Sequence, residues 1–273
     1  MKLIHVTDPH LVPAGERLHG LDPQARLEAC IADINRHHGD ADLCVVTGDL
    51  ADGGRAAAYD LLRRLLADLE PPVHLILGNH DDRAAFRAAF PAAPVDASGF
   101  VQAAHDLDGA RLLFLDTLEA GTYAGVYGSK RRAWLGAELD RAAADDVPVY
   151  LFLHHPPFRT GLAAMDRIGL RDPDGFAAVV TPHAGRIRHL FFGHLHRPLA
   201  GNWRGISFST IRATNHQVWI DFENAAVATG SHEPPAYAIV LADADQVVVH
   251  AHDFLDISPK FALGPPDPSA VRQ

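Results

Sequence analysis

Cysteine is scarce: Cys30 and Cys44 are the only two among 273 residues. Neither sits in a paired Cys motif, so no disulfide framework or thiolate metal site is expected. Both read as small buried apolar side chains, Cys30 in a helix and Cys44 in a strand. Positive charge is short as well, with 24 Lys and Arg against 34 Asp and Glu, a net charge of −10 with His neutral. A duplex-binding surface needs a basic face, so no nucleic-acid duplex is expected as a partner. A small anionic substrate stays possible, because bound metals invert the local charge. The N-terminal apolar run is too short for a signal peptide or a spanning helix: Ile4 and Val6 alternate with His5 and Thr7, and Asp8 follows at once. No membrane insertion is expected, and the cytoplasm is the default location. Also missing are a Gly-x-Ser-x-Gly elbow and a phosphate-cradling P-loop. No protein nucleophile presents itself, and no internal repeat is visible.

What the chain does carry is five short polar segments in a fixed order. They are Asp8-Pro9-His10, Gly48-Asp49, Gly78-Asn79-His80-Asp81, His154-His155 and Gly193-His194-Leu195-His196. Each follows a short apolar run that reads as a β-strand. Together they collect carboxylate, amide and imidazole donors, the mixture that hard and borderline divalent cations take. Seven ligands exceed one tetrahedral ion and suit two ions sharing a carboxylate. Paired metals ~3.5–4 Å apart recur in displacement at phosphorus. Hydrolysis of a phosphate ester is the first functional expectation.

The rest of the chain supports one large domain. Apolar content is 48% and charged content 21%, ordinary for a globular protein. Residues 1–8 read as a strand, and residues 23–38 as a helix opened by Pro23, with Leu27, Ile31 and Ile34 on one face. Leu43–Thr47 reads as a strand, 55–69 as a helix with a leucine stripe, and Val73–Leu77 as a strand. This is β-α-β-α-β with polar residues at each strand's carboxyl end, the edge at which open α/β sheets bind ligands. Two strands are expected at Phe100–Leu107 and Arg111–Asp116, a helix at 129–144, and strands at Val149–Leu153 and Arg186–Phe192. Beyond these only strand-like runs remain, near 206–211, 216–222, 235–242 and 246–252. Residues 256–273, with Pro259, Pro265, Pro266 and Pro268, read as a tail or arm.

Taken singly, each polar segment is a turn; the conjunction carries the signal. Asp8 and His10 are two apart at a strand end, and a period of two would put both on one side. His194 and His196 share that spacing and could face different ions. Gly48 lets the backbone approach closely before Asp49, whose two oxygens could bridge two ions. Asn79 adds a neutral oxygen, which tempers a site that would otherwise repel phosphate.

The series resembles the calcineurin-like metallophosphoesterase superfamily, whose blocks run D-x-H, G-D, G-N-H-[DE], H and G-H-x-H, over roughly residues 1–200. The resemblance implies an α/β fold, a four-layer α/β/β/α sandwich with a β-rich C-terminal cap and dimerisation element. Residues 1–200 would be the catalytic core, 201–255 the remaining core strands and cap, and 256–273 the tail. It implies two divalent ions, Mn, Fe, Zn or Co. By motif, Asp8, His10 and His196 would hold the first ion. Asn79, His154 and His194 would hold the second, and Asp49 would bridge. A metal-bridging hydroxide would attack phosphorus. His80 would approach the phosphate, stabilising charge or protonating the leaving group. Asp81 is expected to hydrogen-bond His80 and fix its tautomer, and His155 to pack behind the ligands.

Within the superfamily the chain resembles class III cyclic nucleotide phosphodiesterases and, more closely, glycerophosphodiesterase-like enzymes. The features are Leu18-His19-Gly20, Asn79-His80-Asp81-Asp82, Met165-Asp166-Arg167-Ile168 and Thr214-Asn215-His216-Gln217-Val218. The last implies that His216 reaches the substrate. Position 52 is Asp, where purple acid phosphatases place a Tyr ligand, so tyrosinate-bound iron is not expected. Arg55 and Arg212 are weaker candidates for phosphate contact, and Tyr59 and Phe158 read as packing. The expected activity is hydrolysis of small phosphodiesters, cyclic nucleotides or glycerophosphodiesters, by a homodimer or higher homo-oligomer. The alternatives are a phosphomonoesterase, either nucleotidase or protein phosphatase, and a non-catalytic scaffold. A scaffold predicts missing ligands, and all seven are present.

Overall fold

The computed structural model describes residues 1–263. Its strands are β1 (Lys2–Val6), β2 (Leu43–Thr47), β3 (Val73–Ile76), β4 (Ala103–Leu107), β5 (Ala110–Phe114), β6 (Val149–Leu153), β7 (Ile187–Phe192), β8 (Leu199–Trp203), β9 (Ile206–Thr210), β10 (Gln217–Val218), β11 (Gly230–Ser231), β12 (Tyr237–Ala242) and β13 (Val247–His252). Its helices are α1 (Pro23–His38), α2 (Ala56–Leu66), α3 (Arg83–Ala89), α4 (Ser129–Ala144) and α5 (Pro173–Val180). The sequence reading missed the short α3 and α5, the two-residue β11, and β8, whose middle residues are exposed. Asp82 and Asp172 cap α3 and α5 by accepting the amide hydrogens of Ala85 and Gly175.

Two sheets form. One has the order β13-β12-β1-β2-β3, the other β4-β5-β6-β7-β9-β8. β1, β2 and β3 run parallel, as do β5, β6, β7 and β9. All five residues of β2, β5 and β6 are buried, the continuous apolar pattern of strands covered on both faces. Three clusters make the layers. Leu27, Ile31 and Ile34 of α1 with Leu61, Leu62 and Leu65 of α2 cover the outer face of the first sheet. Leu3, Val45, Leu112, Phe114, Phe152 and Phe191 fill the space between the sheets. Leu135 and Leu139 of α4 with Phe176 and Val180 of α5 cover the second sheet. The result is the α/β/β/α sandwich expected from the sequence.

Within residues 201–255, β9 and the end of β8 join the second sheet, and β12 and β13 join the first. The excursion between β9 and β12 crosses from one sheet to the other and carries the β10–β11 ribbon. Three guanidinium groups tether it through carbonyls: Arg26 to Asn215, Arg197 to Val218, and Arg167 to Ala225. The strand expected near 216–222 contracts to the two residues of β10, and Trp219, Ile220 and Phe222 follow exposed. The Pro-rich tail lies, from residue 264 on, outside the described residues. Among the described residues no helix is long and apolar enough to cross a membrane.

Candidate metal centre

The parallel strands end at one edge, and each expected ligand lies just past such an end. Asp8 follows β1, Asp49 follows β2, Asn79 follows β3, His154 follows β6, and His194 and His196 follow β7. The period-two argument names the right neighbours for a reason that does not hold. Asp8, His10, Asp49, His194 and His196 all lie beyond their strands in the left-handed region, with φ of 51°, 44°, 49°, 70° and 50°. Each such turn costs ~1–3 kcal/mol, strain that clusters at functional sites. Gly193 is required for a different reason: a Cβ there would run into Thr7 and the Thr47 carbonyl.

The side chains converge. Nε2 of His10 lies 3.1 Å from Nε2 of His196, and Nε2 of His196 lies 3.3 Å from Oδ1 of Asp8. Nε2 of His154 lies 3.1 Å from Oδ1 of Asn79. Oδ2 of Asp49 stands between the two groups, 3.4 Å from Nε2 of His10 and 3.4 Å from Nε2 of His154. It meets both through one oxygen rather than two, because its Oδ1 accepts the amide hydrogen of His80 at 2.8 Å. His194 joins beside His154, ring centroids 5.1 Å apart, and its buried Nε2 has no hydrogen-bond partner.

The donor set fits metal ions. Nδ1 of His154 gives its hydrogen to the Thr47 carbonyl, and Nδ1 of His196 to the His216 carbonyl, each at 2.8 Å. Nδ1 of His10 gives its hydrogen to Asp52 at 3.3 Å. Fixing Nδ1–H in this way aims the Nε2 lone pair inward, the usual arrangement behind a ligating imidazole. Those lone pairs then face carboxylate and amide oxygens or one another, and only positive charge between them reconciles the arrangement. Proton affinities say the same. Burial works against charge on His10, yet hydrogen bonds to Asp49 and Asp52 outweigh it and lift its pKa to about 10. Burial likewise opposes charge on His154, and Asp49 outweighs it to give about 9. Burial holds His194 well below its ordinary value, with His155 and His154 adding to the effect, so that ring is neutral. Metal ions and protons compete for the same nitrogens.

His155 packs behind the cluster, as expected. Its Nδ1 meets Thr117 Oγ1 at 2.8 Å and its Nε2 meets the Tyr123 carbonyl at 3.1 Å, so neither nitrogen is left for a metal. The expected bond between Asp81 and His80 is absent. Asp81 is buried and accepts from the amides of Leu50, Ala51 and Gly78 and from the Tyr59 hydroxyl, at 2.8–3.1 Å. It ties the Gly48-Asp49 turn to the Gly78-Asn79 turn. The carboxylate on His80 is Asp52, whose Oδ1 lies 2.9 Å from Nδ1 of the ring. Sequence reasoning weighed Asp52 only as the absence of a Tyr; its spacing, three residues past Asp49 in a one-turn helix, was the available signal.

A cavity of about 260 Å³ opens over the cluster, lined by His10, Asp49, Asn79, His194 and His196 below and by His80 and His216. Tyr123, Met165, Ile168, Val218 and Ala228 give it an aromatic and apolar wall that the sequence reading did not assign. His216 is held near a pKa of about 2 by burial first, then by His196 and His10, so its ring is neutral. Arg55 and Arg212 pair with Glu16 and Asp253 instead of lining this cavity. Tyr59 and Phe158 are packing residues, as expected.

Two sheets whose carboxyl edges gather these donors define a phosphoesterase-type metal-binding sandwich. A model described as calcineurin-like phosphoesterase matches residues 1–198, and the chain belongs to that family. It is 46% identical over 265 residues, 96% of either chain, to a probable cyclic nucleotide phosphodiesterase of Rhodopseudomonas palustris. It is 34% identical over 223 residues to a glycerophosphodiester phosphodiesterase of Enterobacter lignolyticus, covering 80% of this chain and 79% of that one. Among solved structures, a dimetal phosphatase from Danio rerio superposes with a TM-score of 0.70 at 16% identity, over 93% of this chain and 96% of that one, which shows the shared fold.

Proposed function

We propose that the protein is a dinuclear, metal-dependent phosphodiesterase for small diesters. The observation that carries this reading is Oδ2 of Asp49, equidistant at 3.4 Å from Nε2 of His10 and Nε2 of His154. One carboxylate oxygen between two ligand groups is the arrangement that two ions share. Asp8, His10 and His196 would hold one ion and Asn79, His154 and His194 the other, with Mn, Fe, Co or Zn suited to the donors. When bound, the ions neutralise phosphate charge and lower the pKa of water.

The chain's own residues do the rest. His80, at the cavity rim, keeps Nδ1 on Asp52 and offers its other nitrogen to the departing oxygen. Neutral His216, which also lines the cavity, contacts the substrate. Met165, Ile168, Val218 and Ala228 exclude bulk water, which strengthens every electrostatic contact inside. A second cavity of about 340 Å³, lined by His19, Gly230, Ser231 and His232, shares His216, Val218 and Ala228 with the first. That adjoining space favours a substrate with a second ester substituent. The relatives named for cyclic nucleotide and glycerophosphodiester hydrolysis support the same class.

The proposal includes a homodimer or higher oligomer joined through residues 211–236, where Trp219, Phe222 and Val227 are 51–63% exposed. It places the enzyme in the cytoplasm, in keeping with two free buried thiols. The test is hydrolysis of bis(p-nitrophenyl) phosphate beside p-nitrophenyl phosphate, using chelator-stripped protein with and without Mn²⁺. Metal-restored activity that favours the diester is expected. A monoester preference moves the reading to a phosphatase, and inactivity with every divalent metal overturns it.

A further inference from the structure

The one-turn helix Met165–Arg167, with Ile168 at its C-terminal cap, serves two cavities. Met165 and Ile168 form part of the wall over the metal cluster. Asp166 and Arg167 line a separate cavity of about 350 Å³, and Arg159 and Arg171 stand at it too. Three guanidinium groups therefore share that space with one carboxylate, and the carboxylate is already spent. Asp166 accepts the amide hydrogens of Thr160 and Gly161 and the Thr160 hydroxyl hydrogen at 2.7–3.0 Å, while Nε of Arg159 lies 3.8 Å away. Arg167 and Arg171 have only neutral partners among the described residues. Arg167 donates to the Ala225 carbonyl at 3.1 Å and Arg171 to the Thr122 hydroxyl at 2.9 Å, each through one nitrogen. The backbone beneath them is fixed, because the amide hydrogens of Leu170 and Arg171 go to the carbonyls of Pro156 and Gly125 at 3.2 and 2.9 Å. A net positive concavity thus stands on a chain whose net charge is −10. Such a concavity concentrates anions, and forked guanidinium groups match the oxygens of a phosphate.

We propose that this cavity is a second anion site, separate from the metal centre, in which Arg159, Arg167 and Arg171 take a phosphate or phosphomonoester dianion. A phosphodiester carries one negative charge, whereas a monoester carries nearly two at neutral pH. Excess positive charge therefore favours the product of diester hydrolysis over its substrate. The site is tied to the metal-centre cavity by a very short stretch of chain, since Met165 and Ile168 flank Arg167 in one turn. Arg167 also holds the crossing between the sheets at Ala225. An anion on Arg167 draws on the same guanidinium that makes this tether, so occupancy of the site is felt at the cavity wall.

The experiment is equilibrium dialysis in about 0.15 M chloride, where diffuse surface attraction is screened. Inorganic phosphate is applied to Mn²⁺-loaded and chelator-stripped protein, and glycerol 3-phosphate to the stripped protein. The stripped wild type is expected to keep one bound anion per chain. The double variant Arg167→Gln with Arg171→Gln should bind it about 10²-fold more weakly, the scale of lost hydrogen bonds from charged groups. The tighter of the two anions names the source, free phosphate or an ester. Both arginines are exposed, so the variant keeps the fold, which circular dichroism checks. In the loaded enzyme, phosphate should inhibit hydrolysis of bis(p-nitrophenyl) phosphate in a mixed pattern for the wild type. Inhibition of the variant should be purely competitive, with an unchanged kcat in the absence of phosphate. If the stripped wild type binds neither anion, or the variant matches it in affinity or in inhibition pattern, the inference is overturned. Dialysis of stripped protein does not depend on turnover, so failure of the hydrolase reading and failure of this site are read separately.

Discussion

Nε2 of His154 faces Oδ1 of Asn79 at 3.1 Å while Nδ1 of the same ring gives its hydrogen to the Thr47 carbonyl. A neutral ring would set lone pair against lone pair in a buried place. With the amide oxygen turned toward the ring, a cation between the two relieves the repulsion, and metal ions and protons compete for that position. Asn79→Ala removes one of the two oxygens that face His154. Metal content measured on purified protein is expected to fall and turnover with it. Full metal content with unchanged turnover would remove Asn79 from the ligand set.

In the proposed reaction His80 acts on substrate without holding metal: its ring lines the cavity rim, and with Nδ1 on Asp52 its Nε2 is left for the departing oxygen. His80→Ala should lower kcat by ~10²–10⁴-fold, the contribution of one general acid, while metal stoichiometry stays the same. Loss of metal in this variant would make His80 a ligand.

Tyr59 is fully buried. Its hydroxyl donates to Asp81 at 2.8 Å and accepts the amide hydrogen of Asp82 at 2.9 Å. Tyr59→Phe orphans that amide and removes one donor from Asp81. The expected destabilisation is ~1–3 kcal/mol in urea unfolding, with metal content retained. An unchanged midpoint would mean that water replaces the hydroxyl.

Between the sheets, burial depresses His5 to a pKa of about 3 and His189 to about 4. Both rings are neutral in the folded protein and protonate in the unfolded chain near the ordinary value of ~6.5. Their contribution to stability is therefore complete above pH ~6.5 and is lost as pH falls toward 3–4, at up to ~1.4 kcal/mol per pH unit for each ring. Urea midpoints of metal-free protein from pH 7 to 4 should show this slope, and His189→Gln should flatten it. An equal slope in the variant would assign acid sensitivity to other groups.

Trp219 and Phe222 lie exposed on the crossing between the sheets. Light scattering behind size exclusion should find a dimer or larger in the wild type and a smaller species for Trp219→Ser with Phe222→Ser. A wild type that is monomeric at assay concentration removes this face as the contact.

The sequence alone made the candidate ligands legible, and through the family resemblance it implied the sandwich. β2 and β6, buried along their whole length, stand out as apolar runs, β1, β3 and β7 read as strands beside them, and each of the five is followed by a polar segment with metal-binding chemistry. Order and chemistry together named Asp8, His10, Asp49, Asn79, His154, His194 and His196, and the structure brings all seven to one place. The short helices α3 and α5 escaped because their apolar pattern is too brief to establish a period, and β8 because its middle residues Ala200, Gly201 and Asn202 are exposed and form no apolar run. Tertiary structure decided the rest. The left-handed turns that aim the ligands, the single oxygen of Asp49 between two groups, and the partners of Asp81 and Asp52 all depend on which strand ends meet across the sheet edge. Asp81 follows His80 in sequence, yet its carboxylate turns away to four donors, three of which fold back to it from other segments. Asp52 is 28 residues from His80 and takes the ring instead. Hydrogen bonds are settled at ~3 Å by which atoms arrive together, and adjacency along the chain does not fix that.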